Sequence, residues 1–233
     1  MATPTRRVQF THFLLHKIRE TRFRLSELLN FCEASRRLFA ANQPEPEGGS
    51  RVVNFHFSAF SSLFQTIKDI LPVVSDQAVT WAGLSDIRHA QFMHAARNAI
   101  THDGNPIINM WTEGKYYVAC NFVRVDQHQK SVQVQAPAED IETLATQFTL
   151  DLCSYLRTVV RPLVGNEALT GPLYGSEFFE AAIDHPAVPE FARQLHVEID
   201  HSAVQLEANN LIGEVLSELD ALANFCISHS EEI

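Results

Sequence analysis

The spacing of apolar side chains along the chain predicts a mainly helical protein. Steps of three and four residues between apolar positions are typical of amphipathic helices. This spacing recurs in five segments: about 11–42, 54–71, 138–164, a short stretch holding Phe178, Phe179 and Ile183, and about 202–228. The proline- and glycine-rich residues 43–49 predict a loop, and Pro72 is expected just past the end of the second helix. The pattern therefore indicates a helical bundle.

A further short helix is expected in the middle of the chain. Ser85 and Asp86 offer an N-terminal cap, the helix should run to about Thr101, and Asp103-Gly104 supplies a C-terminal stop. After it, β-branched and aromatic residues alternate with polar ones in three stretches: 107–111, 116–125 and 132–135. We expect these stretches to form a small antiparallel β-meander inserted between the helices.

Length and composition place this bundle among globular domains. The chain has 233 residues, of which 45% are hydrophobic, enough for a sizeable buried core. We expect a helical domain over residues 1–165, which includes the meander, and a helical extension over 166–233. No stretch approaches the roughly 18 uninterrupted apolar residues of a membrane span, and the first residues lack the apolar run of a secretory signal. The expected location is the cytoplasm, with no membrane association.

The charge is distributed unevenly along the chain. The net charge is −10, yet residues 1–51 hold nine lysines and arginines against five acidic residues, and residues 166–233 hold one arginine against thirteen acidic residues. A ligand that carries phosphate would therefore meet the N-terminal helix or a local basic patch, and the acidic extension would repel it. The alternative is that each charged run is a solvated helix face.

Cysteines and histidines give little indication of a metal site. Four cysteines stand at wide spacings without a CxxC pair, which favours reduced thiols in the core: Cys32, Cys120, Cys153 and Cys226. His12 and His16 stand four residues apart on the first predicted helix and could share a face as metal ligands, but no carboxylate or cysteine is placed to complete the site. We expect no metal and no cofactor. The sequence also lacks the GxSxG, GxxxxGK[ST], GxGxxG and HExxH signatures of common enzymes.

Polar groups concentrate at the end of the short helix. Arg97, Asn98 and His102 lie close to His94 on a helical projection, because positions three and four apart share a face. Arginine supplies a permanently charged fork for phosphate oxygens, and histidine supplies a proton donor and acceptor near neutral pH. These residue types suit cleavage of a phosphodiester without a metal. The alternative is an ordinary helix terminus, where His102 meets free carbonyls and Arg97 forms a surface ion pair.

The residues Arg97-Asn98, followed by His102 and Asp103-Gly104, resemble the signature of the HEPN superfamily (higher eukaryotes and prokaryotes nucleotide-binding domains). In that signature an arginine, usually followed by a polar residue, precedes a histidine with four to six residues between. The resemblance covers about residues 11–164 and implies a helical bundle that commonly dimerises around facing motifs. Many such proteins are metal-independent ribonucleases of toxin–antitoxin and other defence systems.

Carried to this chain, the resemblance implies a set of roles at the motif. His102 would be the general acid or base, Arg97 the clamp on the phosphate, and Asn98 the polar residue that orients them, all three as catalytic residues. His94 and Asp103 are expected to contact the substrate. The reaction would be attack of the ribose 2′-hydroxyl on the adjacent phosphate, which leaves a 2′,3′-cyclic phosphate and a free 5′-hydroxyl.

Three functions remain open on the sequence. The first is a HEPN-like metal-independent endoribonuclease of the defence or toxin type, with RNA as substrate, a homodimer as the active form, and an antitoxin or other protein as partner. The second is a non-catalytic HEPN-like module that binds nucleotides or proteins or regulates a partner, which the net charge of −10 favours. The third is an unrelated helical protein in which the motif is coincidental.

Overall fold

The computed structural model of the chain describes residues 5–125, 130–198 and 210–231. The helices within this part of the chain are α1 Arg6–Ala40, α2 Gly49–Ser75, α3 Ala90–Asp103, α4 Ile141–Val160, α5 Ser176–Ile183, α6 Glu190–Glu198 and α7 Leu211–Glu231. The strands are β1 Met110–Thr112, β2 Lys115–Tyr117, β3 Phe122–Val125 and β4 Ser131–Val134. The expected mainly helical class is confirmed, including the short helix around Phe178. No helix of the described residues is both long and apolar enough to cross a membrane.

The core is built from four long helices. α1 packs along α2, and α7 packs against both α4 and α1. The inward residues of α7 belong to the same buried cluster as those of α1, α2 and α4: Ile212, Val215, Leu219, Leu222, Ala223 and Cys226. The division of the chain at residue 165 stays a prediction, and α7 contributes to the principal core. The predicted start of this last helix, 202–209, lies outside the described residues.

The ends of α2 differ from the prediction. The helix begins at Gly49, directly after the left-handed Gly48, and it continues through Pro72 to Ser75. The expectation that Pro72 follows the helix was therefore wrong. Proline removes one backbone donor, and in the last turn of a helix this costs a single bond. Asp76 then closes the helix with a bond from its N–H to the Pro72 carbonyl, 3.0 Å long.

The short helix α3 begins later than its predicted cap. Ser85 and Asp86 lie in turns, and α3 starts at Ala90 after His89, whose φ of 62° is left-handed. The backbone is bent here by tertiary contacts, because Arg88 donates to both oxygens of Asp151 on α4 at 2.7 and 2.9 Å. The other end of α3 was predicted correctly: the helix stops at Asp103.

The strands form two separate hairpins. β1 pairs antiparallel with β2, and β3 pairs antiparallel with β4, without a ladder between the two pairs in the described residues. The expected single meander was wrong because the stretch 116–125 is interrupted. Side chains take over the backbone bonding there: Asn109 Oδ1 accepts from the Ala119 N–H and Asn121 Oδ1 from the Ala136 N–H, each at 2.9 Å.

The cysteine prediction holds for three of the four positions. Cys32, Cys153 and Cys226 are buried free thiols, whereas Cys120 is exposed. Burial raises the pKa of Cys153 and Cys226 to about 12, so both are protonated and unreactive near neutral pH. Cys120 escapes burial because it lies in the interrupted stretch between the hairpins.

Candidate functional site

The last turn of α3 brings Arg97, Asn98 and His102 into contact. Arg97 Nη1 donates to Asn98 Oδ1 at 2.8 Å and lies 3.2 Å from His102 Nε2. The guanidinium has no acceptor, so His102 receives this hydrogen bond on an unprotonated Nε2 and holds its proton on Nδ1. His102 is exposed at the end of the helix, which Gly104 terminates with a φ of 66°. A basic nitrogen therefore stands beside a fixed positive charge at the surface.

Arg97 retains donors for a ligand. Its Nε is buried without a hydrogen-bond partner, and no contact among the described residues engages its Nη2. Nor do the described residues include a carboxylate within ion-pair distance of Arg97, unlike Arg88, which is paired with Asp151. The alternative of an ordinary surface ion pair is therefore not what the geometry shows. Nη2 is thus the donor group that Arg97 keeps for a phosphate, because the buried Nε is out of a ligand's reach.

His94 joins this motif from one helical turn earlier. Asn98, whose side chain is buried, places its Nδ2 3.1 Å from His94 Nε2. Burial lowers the pKa of His94, and the positive charges of Arg124, Arg97 and Lys68 lower it further. His94 is thus neutral at physiological pH and accepts from Asn98. The amide of Asn98 links His94 to Arg97 through its two ends.

The ring of His94 is fixed on its other side by Trp81. The two rings stack with centroids 4.6 Å apart and an angle of 16° between planes. Trp81 Nε1 donates to Gln65 Oε1 at 3.0 Å, and the amide of Gln65 donates to both oxygens of Asp69 at 2.9 and 2.8 Å. A continuous set of contacts thus runs from α2 through Trp81 to the motif on α3.

A groove opens beside His94, between α3 and the β3–β4 hairpin. Its volume is about 830 Å³, within the range of roughly 300–1,000 Å³ typical of ligand pockets. Trp81, His89 and His94 line one wall, and Arg124, Gln133 and Gln135 line the other. We call this space the α3–hairpin groove.

Register explains how the hairpin presents Arg124 to this groove. Arg124 pairs directly with Val132, so both side chains lie on one face of the hairpin, and both line the groove. Val123 and Val125 fall on the opposite face and are exposed. The alternation of β3 therefore turns a positive charge toward α3.

The remaining predicted residues lie apart from this arrangement. Asp103 is the exposed last residue of α3 and is in no described contact with Arg97 or His102. His12 lies 3.0 Å from the carbonyl oxygen of Gly171, and His16 lies 4.0 Å from Glu20. Across residues 5–125, 130–198 and 210–231, no three His, Cys, Asp or Glu side chains are grouped to hold a metal ion.

The sequence analysis missed Trp81, Gln65 and Arg124. Trp81 and Gln65 lie 16 residues apart and meet only because α2 and the turn before α3 pack together. No local motif marks them. Arg124 carried a weak signal, as an arginine inside an apolar strand pattern.

Comparisons with protein-family profiles, with curated proteins and with solved structures find no match for this chain.

Proposed function

We propose that this protein is a HEPN-like, metal-independent endoribonuclease that cleaves RNA by attack of the 2′-hydroxyl on the adjacent phosphate. One observation carries the proposal: Arg97 Nη1 lies 3.2 Å from His102 Nε2 at the exposed end of α3. The guanidinium of Arg97, which would bind a phosphate, and the proton acceptor His102 lie side by side at the end of α3, where an RNA chain has access to them. This pairing meets the two requirements of phosphodiester cleavage without a metal.

The roles follow from the hydrogen bonds. His102 Nε2 carries the electron pair that accepts from Arg97 Nη1 in the free protein. When RNA binds, the 2′-hydroxyl takes the place of Nη1 as the donor, and Nε2 takes its proton as that oxygen attacks phosphorus. Arg97 keeps its Nη2 donors for the phosphate oxygens, on which negative charge increases in the transition state. Asn98 fixes the guanidinium through its contact with Nη1. The bond that breaks is the one from phosphorus to the 5′-oxygen, which takes a proton from water and leaves as the hydroxyl of the next nucleotide. His102 then returns its own proton to solvent.

Ion pairs leave the net charge of −10 unchanged, but they fix where several carboxylates of α7 lie. Arg19 and Arg22 of α1 pair with Glu218 of α7 at 2.9 and 3.4 Å. Arg157 of α4 pairs with Asp220 at 2.7 Å. The carboxylates of α7 are thus directed toward the basic helix, whereas Arg97 has no carboxylate partner among the described residues.

Two copies of the chain are part of this proposal. His102 is exposed at the tip of α3, so a second copy can bring its own motif opposite the first and enclose one phosphate between them. Light scattering of the purified protein should give the mass of a dimer at micromolar concentration. If the protein cleaves RNA as a strict monomer, the composite site is wrong and a single motif carries out the chemistry.

A non-catalytic binding or regulatory module is the second candidate, and one surface favours it. Tyr174, Phe178 and Phe179 are exposed next to one another, with the rings of Tyr174 and Phe178 stacked 4.1 Å apart. Exposed aromatic clusters mark protein interfaces. An antitoxin or another protein partner would find its contact here, with or without catalysis at α3.

Incubation with RNA in the presence of EDTA tests the proposal. Total cellular RNA and a labelled single-stranded oligoribonucleotide should both be cut by the wild type, and the products should end in a 2′,3′-cyclic phosphate. A DNA oligonucleotide of the same sequence should stay intact because it lacks the 2′-hydroxyl. His102→Ala should remove the activity. An intact RNA, or equal cleavage by the variant, would contradict the proposed function and favour the binding module.

A further inference from the structure

We infer that the α3–hairpin groove binds the single-stranded RNA segment adjacent to the cleaved phosphate, with a backbone phosphate at Arg124 and a base against the Trp81–His94 pair. This inference rests on the proposed ribonuclease function and adds the path of the substrate. The first support is that the groove and the motif share a residue. His94 lines the groove and also contacts Asn98, which contacts Arg97. His102 lies eight residues beyond His94 on α3, about 12 Å along the helix, so a strand that continues from the groove along α3 reaches the motif.

The charges around the groove favour a polyanion. Arg124 makes no ion pair among the described residues, its only hydrogen bond there is a weak one of 3.4 Å to the carbonyl of Val125, and its Nε is buried without a partner. Arg124 and Arg97 both lie close enough to His94 to lower its pKa. In the part of the chain that the structure describes, neither guanidinium is within ion-pair distance of a carboxylate. Glu139 is the single carboxylate residue among the described lining residues, and it stands on the hairpin side.

The aromatic wall favours bases. Trp81 and His94 are already stacked and held in place by Gln65 and Asn98, so the wall needs no rearrangement before a base packs against it. Aromatic side chains bind single-stranded nucleic acid because every base offers a flat face. A neutral His94 adds to this wall without the desolvation cost of a charged ring.

A side-chain amide supplies the hydrogen bonds that a base edge requires. Gln91 is exposed on α3 and lines the groove. An amide offers donors and an acceptor, which match the edges of unpaired bases. Phosphate, base face and base edge are thus each met by residues of one groove.

Binding of an uncleavable RNA tests this assignment separately from catalysis. The probe is a short fluorescein-labelled oligoribonucleotide with 2′-O-methyl groups, which cannot perform the attack, and its affinity for the full chain is measured by fluorescence anisotropy over a salt series in EDTA. Arg124→Gln should weaken binding by about tenfold, as for loss of a charged hydrogen bond. It should also lower the slope of log affinity against log salt by about 0.7, the value for one phosphate on a single strand. Gln91→Glu should weaken binding as well, because it places a negative charge in the groove.

Matched variants outside the groove give the control. Arg161→Gln removes the same charge from an exposed position after α4, and Gln43→Glu adds the same charge after α1. Both should bind as the wild type does. If Arg124→Gln and Gln91→Glu bind like these controls, or if the wild type does not bind the probe, the groove assignment is overturned. If the groove variants weaken binding but the wild type does not cleave ordinary RNA, the groove assignment stands and the ribonuclease function is wrong. If the wild type cleaves RNA but the groove variants bind as tightly as it does, the ribonuclease function stands and the groove assignment is wrong.

Discussion

Asn98 Nδ2 lies 3.1 Å from His94 Nε2, and through this contact the motif at the end of α3 is joined to the groove beside it. The other end of the same amide accepts from Arg97 at 2.8 Å. A side chain with one donor group and one acceptor is required at this position, because a neutral histidine and a guanidinium stand on its two sides. Asn98 is thus both a part of the fold and the residue that orients Arg97.

Replacing Asn98 should therefore affect stability and activity together. Asn98→Ala leaves Nε2 of the half-buried His94 without its donor, which should lower the free energy of unfolding by roughly 1 kcal/mol. Cleavage should fall by about tenfold, less than for loss of His102, because Arg97 loses its orientation and keeps its charge. Denaturant unfolding and RNA cleavage measure the two effects. Asn105→Ala, just after α3, is the control; equal behaviour of the two variants would remove this role.

The site could be predicted from the sequence only as far as it is local. Arg97, Asn98 and His102 follow one another on a helix, so their contact follows from helical spacing, and Gly104 marks the end because it adopts a φ of 66° without strain. Trp81 and Arg124 reach His94 from a turn and a strand that are remote in sequence. No period or spacing indicates such contacts.

The elements were predicted best where burial alone determines them. The apolar stripes of α1, α2 and α4 predict long helices because each must bury one face. The start of α3 was wrong because a contact between Arg88 and Asp151, 63 residues apart, bends the backbone before Ala90. The meander was wrong because Asn109 and Asn121 satisfy backbone groups that a continuous strand would have paired.

The protonation of His94 predicts a pH dependence of stability. Its pKa is lowered in the folded protein by burial and by the charges of Arg124, Arg97 and Lys68, so the unfolded chain binds more protons as the pH falls. The stabilising contribution is complete above the unfolded pKa of about 6.5 and is lost progressively below it. In denaturant unfolding, the free energy of unfolding of the wild type should fall more steeply than that of His94→Gln as the pH is lowered from 7.

A histidine that faces solvent provides the control for His94→Gln. His16 on α1 has a side chain that is 72% exposed, and His16→Gln should follow the wild-type profile. If His94→Gln loses stability as steeply as the wild type, His94 is not the neutral acceptor of the Asn98 amide.

A buried carboxylate connects the first, fourth and last helices. Glu142 is 2% exposed, and its Oε1 lies 2.8 Å from Arg36 Nη2 and 2.5 Å from His229 Nε2. Removal of one partner from a buried pair costs roughly 3–5 kcal/mol because the other charge is left uncompensated. Glu142→Gln should approach the lower end of that range, since Arg36 retains some access to water. Urea unfolding measures the loss.

An exposed pair on α1 provides the reference for this loss. Glu33 pairs with Arg37 at the surface, where an ion pair is worth roughly 0–1 kcal/mol. Glu33→Gln should therefore change the free energy of unfolding little. Equal losses in Glu142→Gln and Glu33→Gln would show that α7 is held by its apolar face without help from the buried carboxylate.

The last prediction concerns Arg97 and His102 as one catalytic unit. His102→Ala should slow RNA cleavage by roughly 10²-fold or more, which is the usual value of a positioned proton acceptor. Arg97→Ala should have a similar effect, and Arg97→Lys should recover little of it. A lysine offers no planar fork that reaches Asn98 Oδ1, His102 Nε2 and a phosphate oxygen together.

Because the two side chains act through one another, their losses should not multiply. In the double variant Arg97→Ala/His102→Ala, cleavage should be about as slow as in the slower single variant, as for catalytic groups that function only together. Single-turnover cleavage in EDTA measures all four proteins, with Arg161→Ala as a control for loss of positive charge at an exposed site. Losses that multiply would mean that Arg97 binds RNA independently of His102, and the 3.2 Å contact between them would then have no part in the chemistry.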